Sequence, residues 1–164
     1  MEMSGQTTLN ASQADVWAAL NDPGILKQAI PGCEALDMTS ETDFSASVVL
    51  KVGPIKAKFL GRVTLSDIIP PEGYTITGQG QGGIAGFAEG GATVRLKALD
   101  STHTVLHYEV QAKVGGKIAQ LGARLIDSTA KKLAGQFFDR FGELVSSNPE
   151  ESRNEASKGS RAAV

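Results

Sequence analysis

Near residue 115 the apolar pattern of this chain changes period, and that change limits what it can fold into. Before it, apolar and polar residues alternate. Phe44, Ala46, Val48, Leu50 and Val52 are interleaved with Ser45, Ser47, Val49 and Lys51, and Ile55, Ala57, Phe59, Gly61, Val63 and Leu65 with Lys56, Lys58, Arg62, Thr64 and Ser66. A period of two gathers one set of side chains on one face, so each segment predicts a strand buried on one side. Gly53-Pro54 and the run "IIPPEG" interrupt the pattern as turns. Tyr74 and Ile76 open a further strand, Val94, Leu96 and Ala98 the next, and Leu106, Tyr108, Val110, Ala112 and Val114 the last. The breaks are too short for parallel crossovers, so the segments predict an antiparallel meander.

After the change, Leu121, Leu125, Thr129, Leu133, Phe137, Phe141 and Leu144 or Val145 recur every three or four residues, widened by Ile118, Ile126 and Phe138. This predicts one long amphipathic helix from Lys117 to Val145, with Arg124, Asp127, Lys131, Lys132, Asp139, Arg140 and Glu143 on its polar side. Two shorter helices precede the meander. "TTLNASQADVWAALNDPG" reads as a strand leading into a helix capped by Ser12, and Asp22-Pro23 starts a second helix that Pro31 stops. The fold class is therefore α+β: a curved antiparallel sheet with the long C-terminal helix across its concave apolar face, and two short helices after the first strand. The folded domain is expected over residues 1–147, and the polar residues 148–164 are expected to form a disordered tail.

The stretch "TGQGQGGIAGFAEGGA", Thr77 to Ala92, holds a literal G-x-G-x-x-G at Gly78, Gly80 and Gly83. A dinucleotide site needs that motif to open a helix, whereas another alternating segment follows here. The glycines are better read as belonging to strand ends and a hairpin. Gly78 and Gly80 share the register of Tyr74 and Ile76, and other inward positions are also small: Ala46, Ala57, Gly61, Ala98 and Ala112. With only 5% aromatic residues, the space between sheet and helix is expected to stay open as an apolar pocket. A closed core, with the helix seated closer, is the alternative.

Other chemistry finds little support. The net charge of -2 over 164 residues offers no basic face for nucleic acid. Cys33 is the only cysteine, expected in a turn as a structural thiol, and a cytoplasmic location is expected. His103 and His107 have no carboxylate at a fixed spacing to complete a metal site. Glu89, with Arg95 as a partner, is the one carboxylate expected near a pocket mouth, and surface pairing is its default role.

The element order resembles the START-like (SRPBCC) superfamily with its helix-grip fold, whose members enclose hydrophobic ligands between sheet and helix. Three segments resemble the carbon monoxide dehydrogenase G-subunit family: "VWAALNDPGILKQAIPGCEAL", "YTITGQGQGGIAGFAEGGATVRL" and "THTVLHYEVQAKVGGKIAQLGARLI". The likeness covers about the first 145 residues. It implies a non-enzymatic accessory protein of a molybdenum hydroxylase, with hydroxylase subunits as partners, that binds a respiratory quinone or similar lipid and recruits the enzyme to the cytoplasmic face of the membrane. No cofactor or metal is expected, and membrane contact is at most peripheral. The polar ending "SRNEASKGSRAAV" departs from members that carry a membrane-associating extension.

On this reading Val48, Leu50, Phe59, Val63, Tyr74, Ile76, Val94, Leu106, Tyr108 and Val110 of the sheet line the cavity, with Leu121, Leu125, Leu133 and Phe137 of the helix. Ile84 and Phe87 form its gate. A cyclase- or hydrolase-like enzyme of the same superfold and a closed-core protein adaptor are the alternatives, since fold does not settle function.

Overall fold

The computed structural model describes residues 1–146. The expected tail lies outside the described residues. Strand β1 (Glu2–Leu9) is followed by helices α1 (Gln13–Leu20) and α2 (Pro23–Ala29), strands β2 (Cys33–Met38), β3 (Asp43–Val52), β4 (Ile55–Ile69), β5 (Gly73–Gln81), β6 (Phe87–Asp100) and β7 (His103–Gly115), and helix α3 (Ala123–Val145). The seven strands form one antiparallel sheet in the order β1-β7-β6-β5-β4-β3-β2. Helices α1 and α2 therefore carry the chain from one edge of the sheet to the other.

Local chemistry sets the short helices as the sequence predicts. The Ser12 hydroxyl accepts from the Asp15 amide, and the Asp22 carboxylate accepts from the Gly24 and Ile25 amides with Pro23 in the first turn. Three boundaries differ from expectation: β1 begins at Glu2, ahead of the segment that reads as a strand. The long helix begins at Ala123, because Gly122 adopts φ +97° and Lys117–Leu121 form a separate 3₁₀ turn. A 3₁₀ turn also brings residues three apart onto one side, so the apolar spacing of Ile118 and Leu121 does not distinguish the two. Cys33 opens an edge strand rather than standing in a turn.

Strand pairing sorts the concave face into rows. Phe44, Val63, Gly78, Gly90 and Ala112 lie opposite one another across five strands, and Ala46, Gly61, Gly80, Ala88 and Val114 form the next row. On either side of these rows sit two separate apolar clusters. The larger joins α1, α2 and α3 to the sheet through Val16, Leu20, Phe44, Leu65, Leu106 and Phe141. The smaller gathers Val52, Phe59, Ala85 and Ile118, with Leu50, Ala57 and Leu121 against it.

Candidate functional site: an apolar cavity

A cavity of about 310 Å³ lies within the larger cluster. Its floor is the concave face, from Phe44 and Val63 through Leu65, Ile76, Ala92 and Val110 to Tyr74, Val94, Tyr108 and Leu106. Met3 of the edge strand closes one side. Leu20, Leu26 and Ile30 cover it from the α1–α2 segment, Leu36 from β2, and Ala134, Phe137 and Phe138 from α3.

Of the residues expected at the site, Val63, Tyr74, Ile76, Val94, Leu106, Tyr108, Val110 and Phe137 are brought together here. The others lie elsewhere. Leu50, Phe59 and Leu121 belong to the smaller cluster. Val48 faces Phe59 and Cys33 across the neighbouring strands, and Leu125 packs over the β3–β4 turn, where its Cδ2 would stand 2.8 Å from a Cβ on Gly53. Leu133 is half-buried and does not reach the cavity wall.

The expected gate is also displaced from the cavity. Ile84 sits in the 3₁₀ turn of the β5–β6 hairpin and is 89% exposed. Phe87 pairs with Gln81 and Gly115, the register of the convex face, and its ring occupies the space that a Gly115 side chain would need. Gly78 and Gly80 border the cavity row without lining it.

Several lining residues have no signal in the sequence. Leu20 and Leu26 belong to the short helices and Ile30 follows the second, yet no local pattern says that they roof a cavity formed by strands distant in sequence. Met3 precedes the segment that reads as the first strand. Phe138 is legible only as a widening of the helix stripe.

The polar atoms of the lining side chains are two tyrosine hydroxyls. Tyr74 is buried, and its hydroxyl donates to the Leu20 carbonyl at 3.2 Å. Burial pushes its pKa up to about 12, so the phenol stays neutral across the physiological range. Aromatic rings brace the same region: Trp17 stands 5.5 Å from Tyr74, Tyr108 stacks on Phe138 at 5.0 Å, and Phe137 stacks on Phe141 at 5.4 Å.

The reactive groups weighed from the sequence lie outside this cavity. The Cys33 thiol donates to the Ala35 carbonyl, and burial raises its pKa, which suppresses the nucleophilic thiolate. His103 contacts the Asp100 carboxylate at 2.9 Å at an exposed turn. Glu89 is in register with Gln79 and Lys113 on the convex face, whereas Arg95 donates to its neighbour's carbonyl at Val94, so the expected Glu89–Arg95 pairing does not form. Glu89, Arg62 and Lys113 help line a polar hollow of about 800 Å³ on that convex face. It is larger than the cavity, but its mixed charges and open surface lack the apolar enclosure expected of a small-molecule site. No helix among the described residues is long and apolar enough to cross a membrane.

Solved structures place this arrangement among known folds. A conserved protein from Geobacillus kaustophilus is 30% identical, with a TM-score of 0.83 and coverage of 88% of this chain and 95% of that one. A START superfamily protein from Mycobacterium smegmatis is 14% identical, with a TM-score of 0.63 over 87% and 98% of the two chains. The Zhui aromatase/cyclase from Streptomyces sp. R1128 is 13% identical, with a TM-score of 0.63 over 100% and 99%. The last two likenesses concern the fold alone. No curated protein matches the sequence. The carbon monoxide dehydrogenase G-subunit (CoxG) family matches residues 5–146. With its seven-stranded antiparallel sheet gripping a long C-terminal helix, a fold it shares with START-like proteins, the chain belongs to the carbon monoxide dehydrogenase G-subunit family.

Proposed function

We propose that the protein is a non-catalytic carrier that holds a respiratory quinone or a similar apolar lipid in this cavity. It serves a molybdenum hydroxylase of the carbon monoxide dehydrogenase type, helping to couple or recruit that enzyme to the membrane. The observation that carries the reading is the cavity's lining, in which every side chain is apolar apart from the tips of two tyrosines. Such a surface stabilises an apolar guest by about 0.8 kcal/mol per buried methylene, so one five-carbon isoprene unit contributes roughly 4 kcal/mol.

The same lining argues against acid–base catalysis, because no carboxylate, imidazole, amine or thiol belongs to it and burial holds the Tyr74 phenol neutral. Family membership supports the accessory role and the choice of partner enzyme. The volume refines the reading. About 310 Å³ is near the lower end of ligand pockets, so the cavity suits a ring or a short prenyl segment rather than a whole long tail.

Organic extraction and mass spectrometry of protein purified from a quinone-producing bacterium, set against a mock purification, tests the proposal. A near-stoichiometric isoprenoid quinone is the expected result. Protein that is empty and also refuses added quinone would instead favour a closed adaptor, and turnover of polyketide or ester substrates would favour an enzyme.

A further inference from the structure

We propose that the ligand enters and leaves sideways, between edge strand β1 and helix α3, and that its polar head rests in a groove just outside this opening. The inference rests on the carrier reading above and assigns the cavity a portal and a head-group site. A second hollow of about 360 Å³ lies beside the first, bordered by Ser4 and Gln6 of β1 and by Lys131, Gly135 and Asp139 of α3. Met3, Tyr108 and Phe138 line both spaces. The wall between them is thus one side chain thick.

Three features make this wall the natural opening. β1 ends the sheet, so no further strand covers the flank where α3 passes over it. Tyr108 and Phe138, stacked at 5.0 Å, are each only half-buried. Glycine flanks them on both sides. A Cβ on Gly5 would stand 2.6 Å from the Tyr108 hydroxyl, and a Cβ on Gly135 would meet nothing within 4 Å. The first glycine lets the tyrosine lie against β1, and the second leaves the groove open.

Hydrogen bonding sets the ligand's orientation. Inside the cavity the Tyr74 hydroxyl is already committed to the Leu20 carbonyl, and the other lining hydroxyl, that of Tyr108, belongs to the wall shared with the groove, so an acceptor group carried deep inside would lack a donor. The groove offers donors in Lys131 and Thr7, while the Asp139 carboxylate disfavours an anionic guest. The ligand class is therefore a neutral head bearing carbonyl or ether acceptors on an apolar tail, with the tail inside. The cavity's small volume points the same way, because a long guest must extend beyond it.

The test follows uptake of a decyl-tailed benzoquinone by stopped-flow quenching of Trp17, whose ring stands 5.5 Å from cavity residue Tyr74. Gly135→Leu fills the groove at an exposed helical position and replaces glycine with a better helix former, so the fold is retained. Uptake and release are expected to slow on the order of tenfold or more, a gating effect, while Ile84→Asp in the distant hairpin leaves both rates unchanged. Uptake indifferent to Gly135→Leu, or slowed by Ile84→Asp instead, would overturn the portal and leave the carrier reading intact. A wild-type protein that takes up no probe overturns both.

Discussion

The two ends of the concave face carry the same alternating pattern yet are filled in different ways. At one end Phe141 of α3 is fully buried near Val16, Leu20 and Leu106, and beside these large side chains a cavity remains. At the other end Val52, Phe59, Ala85 and Ile118 pack into a smaller cluster, and the first turns of α3 contain no fully buried residue. The open space is therefore not where the residues are smallest. It lies where sheet, α1–α2 and α3 meet as three layers, and rigid side chains from three directions do not fill the junction. Two of the glycines serve close backbone approach instead. A Cβ on Gly90 would stand 2.0 Å from the Gln111 carbonyl oxygen, and one on Gly86, at φ +121°, would stand 2.2 Å from that of Gly115.

The sharpest way to break this comparison is to truncate one large residue at each end. Phe141→Ala should cost about 3–5 kcal/mol, the range for a fully buried phenylalanine, and Phe59→Ala should fall at or below its lower bound because its cluster is smaller and more exposed. Equal losses in chemical denaturation would mean that both ends are packed alike. A somewhat smaller effect is expected from pH. The Tyr74 pKa is raised from 10 to about 12, so the neutral phenol's stabilisation is fully present below pH 10 and is lost as pH rises through 12. At 1.36 kcal/mol per unit the loss is roughly 3 kcal/mol, an order-of-magnitude figure. Tyr74→Phe should flatten the alkaline slope of stability between those limits, and an unchanged slope would show that burial at the cavity end is not what holds the phenol neutral.

The smallest predicted effect separates two glycines of the same hairpin. Gly90→Ala forces a backbone shift and should cost roughly 1–3 kcal/mol, whereas Gly80→Ala, whose added Cβ would meet only the Leu60 carbonyl oxygen at 3.9 Å, should change stability by less than about 0.5 kcal/mol. If thermal melts show Gly80 to be the costlier site, the close-approach account of the glycine rows fails.

Half-burial was legible wherever one face of an element meets the core, since a period of two or of 3.6 is imposed locally by backbone geometry. Thus the strands from Phe44 to Leu65, the caps at Ser12 and Asp22, and the apolar stripe of α3 were readable, as were Tyr74, Ile76, Tyr108 and Phe137 as inward residues. Phe87, expected with Ile84 as a gate, carried no such periodic signal. Its position in the alternation depends on how the hairpin between Gln81 and Phe87 is closed, and the 3₁₀ turn there puts it on the convex face.

By itself the sequence determined the element order, the concave set of side chains and the family. Tertiary structure alone decided that the concave face divides into two clusters, that α1 and α2 roof one of them, and that Tyr108, Phe138 and Met3 line both the cavity and the groove beside it. Periodicity reports which way a side chain points. How much room remains depends on the distances between layers, which are set by packing among residues far apart in the chain.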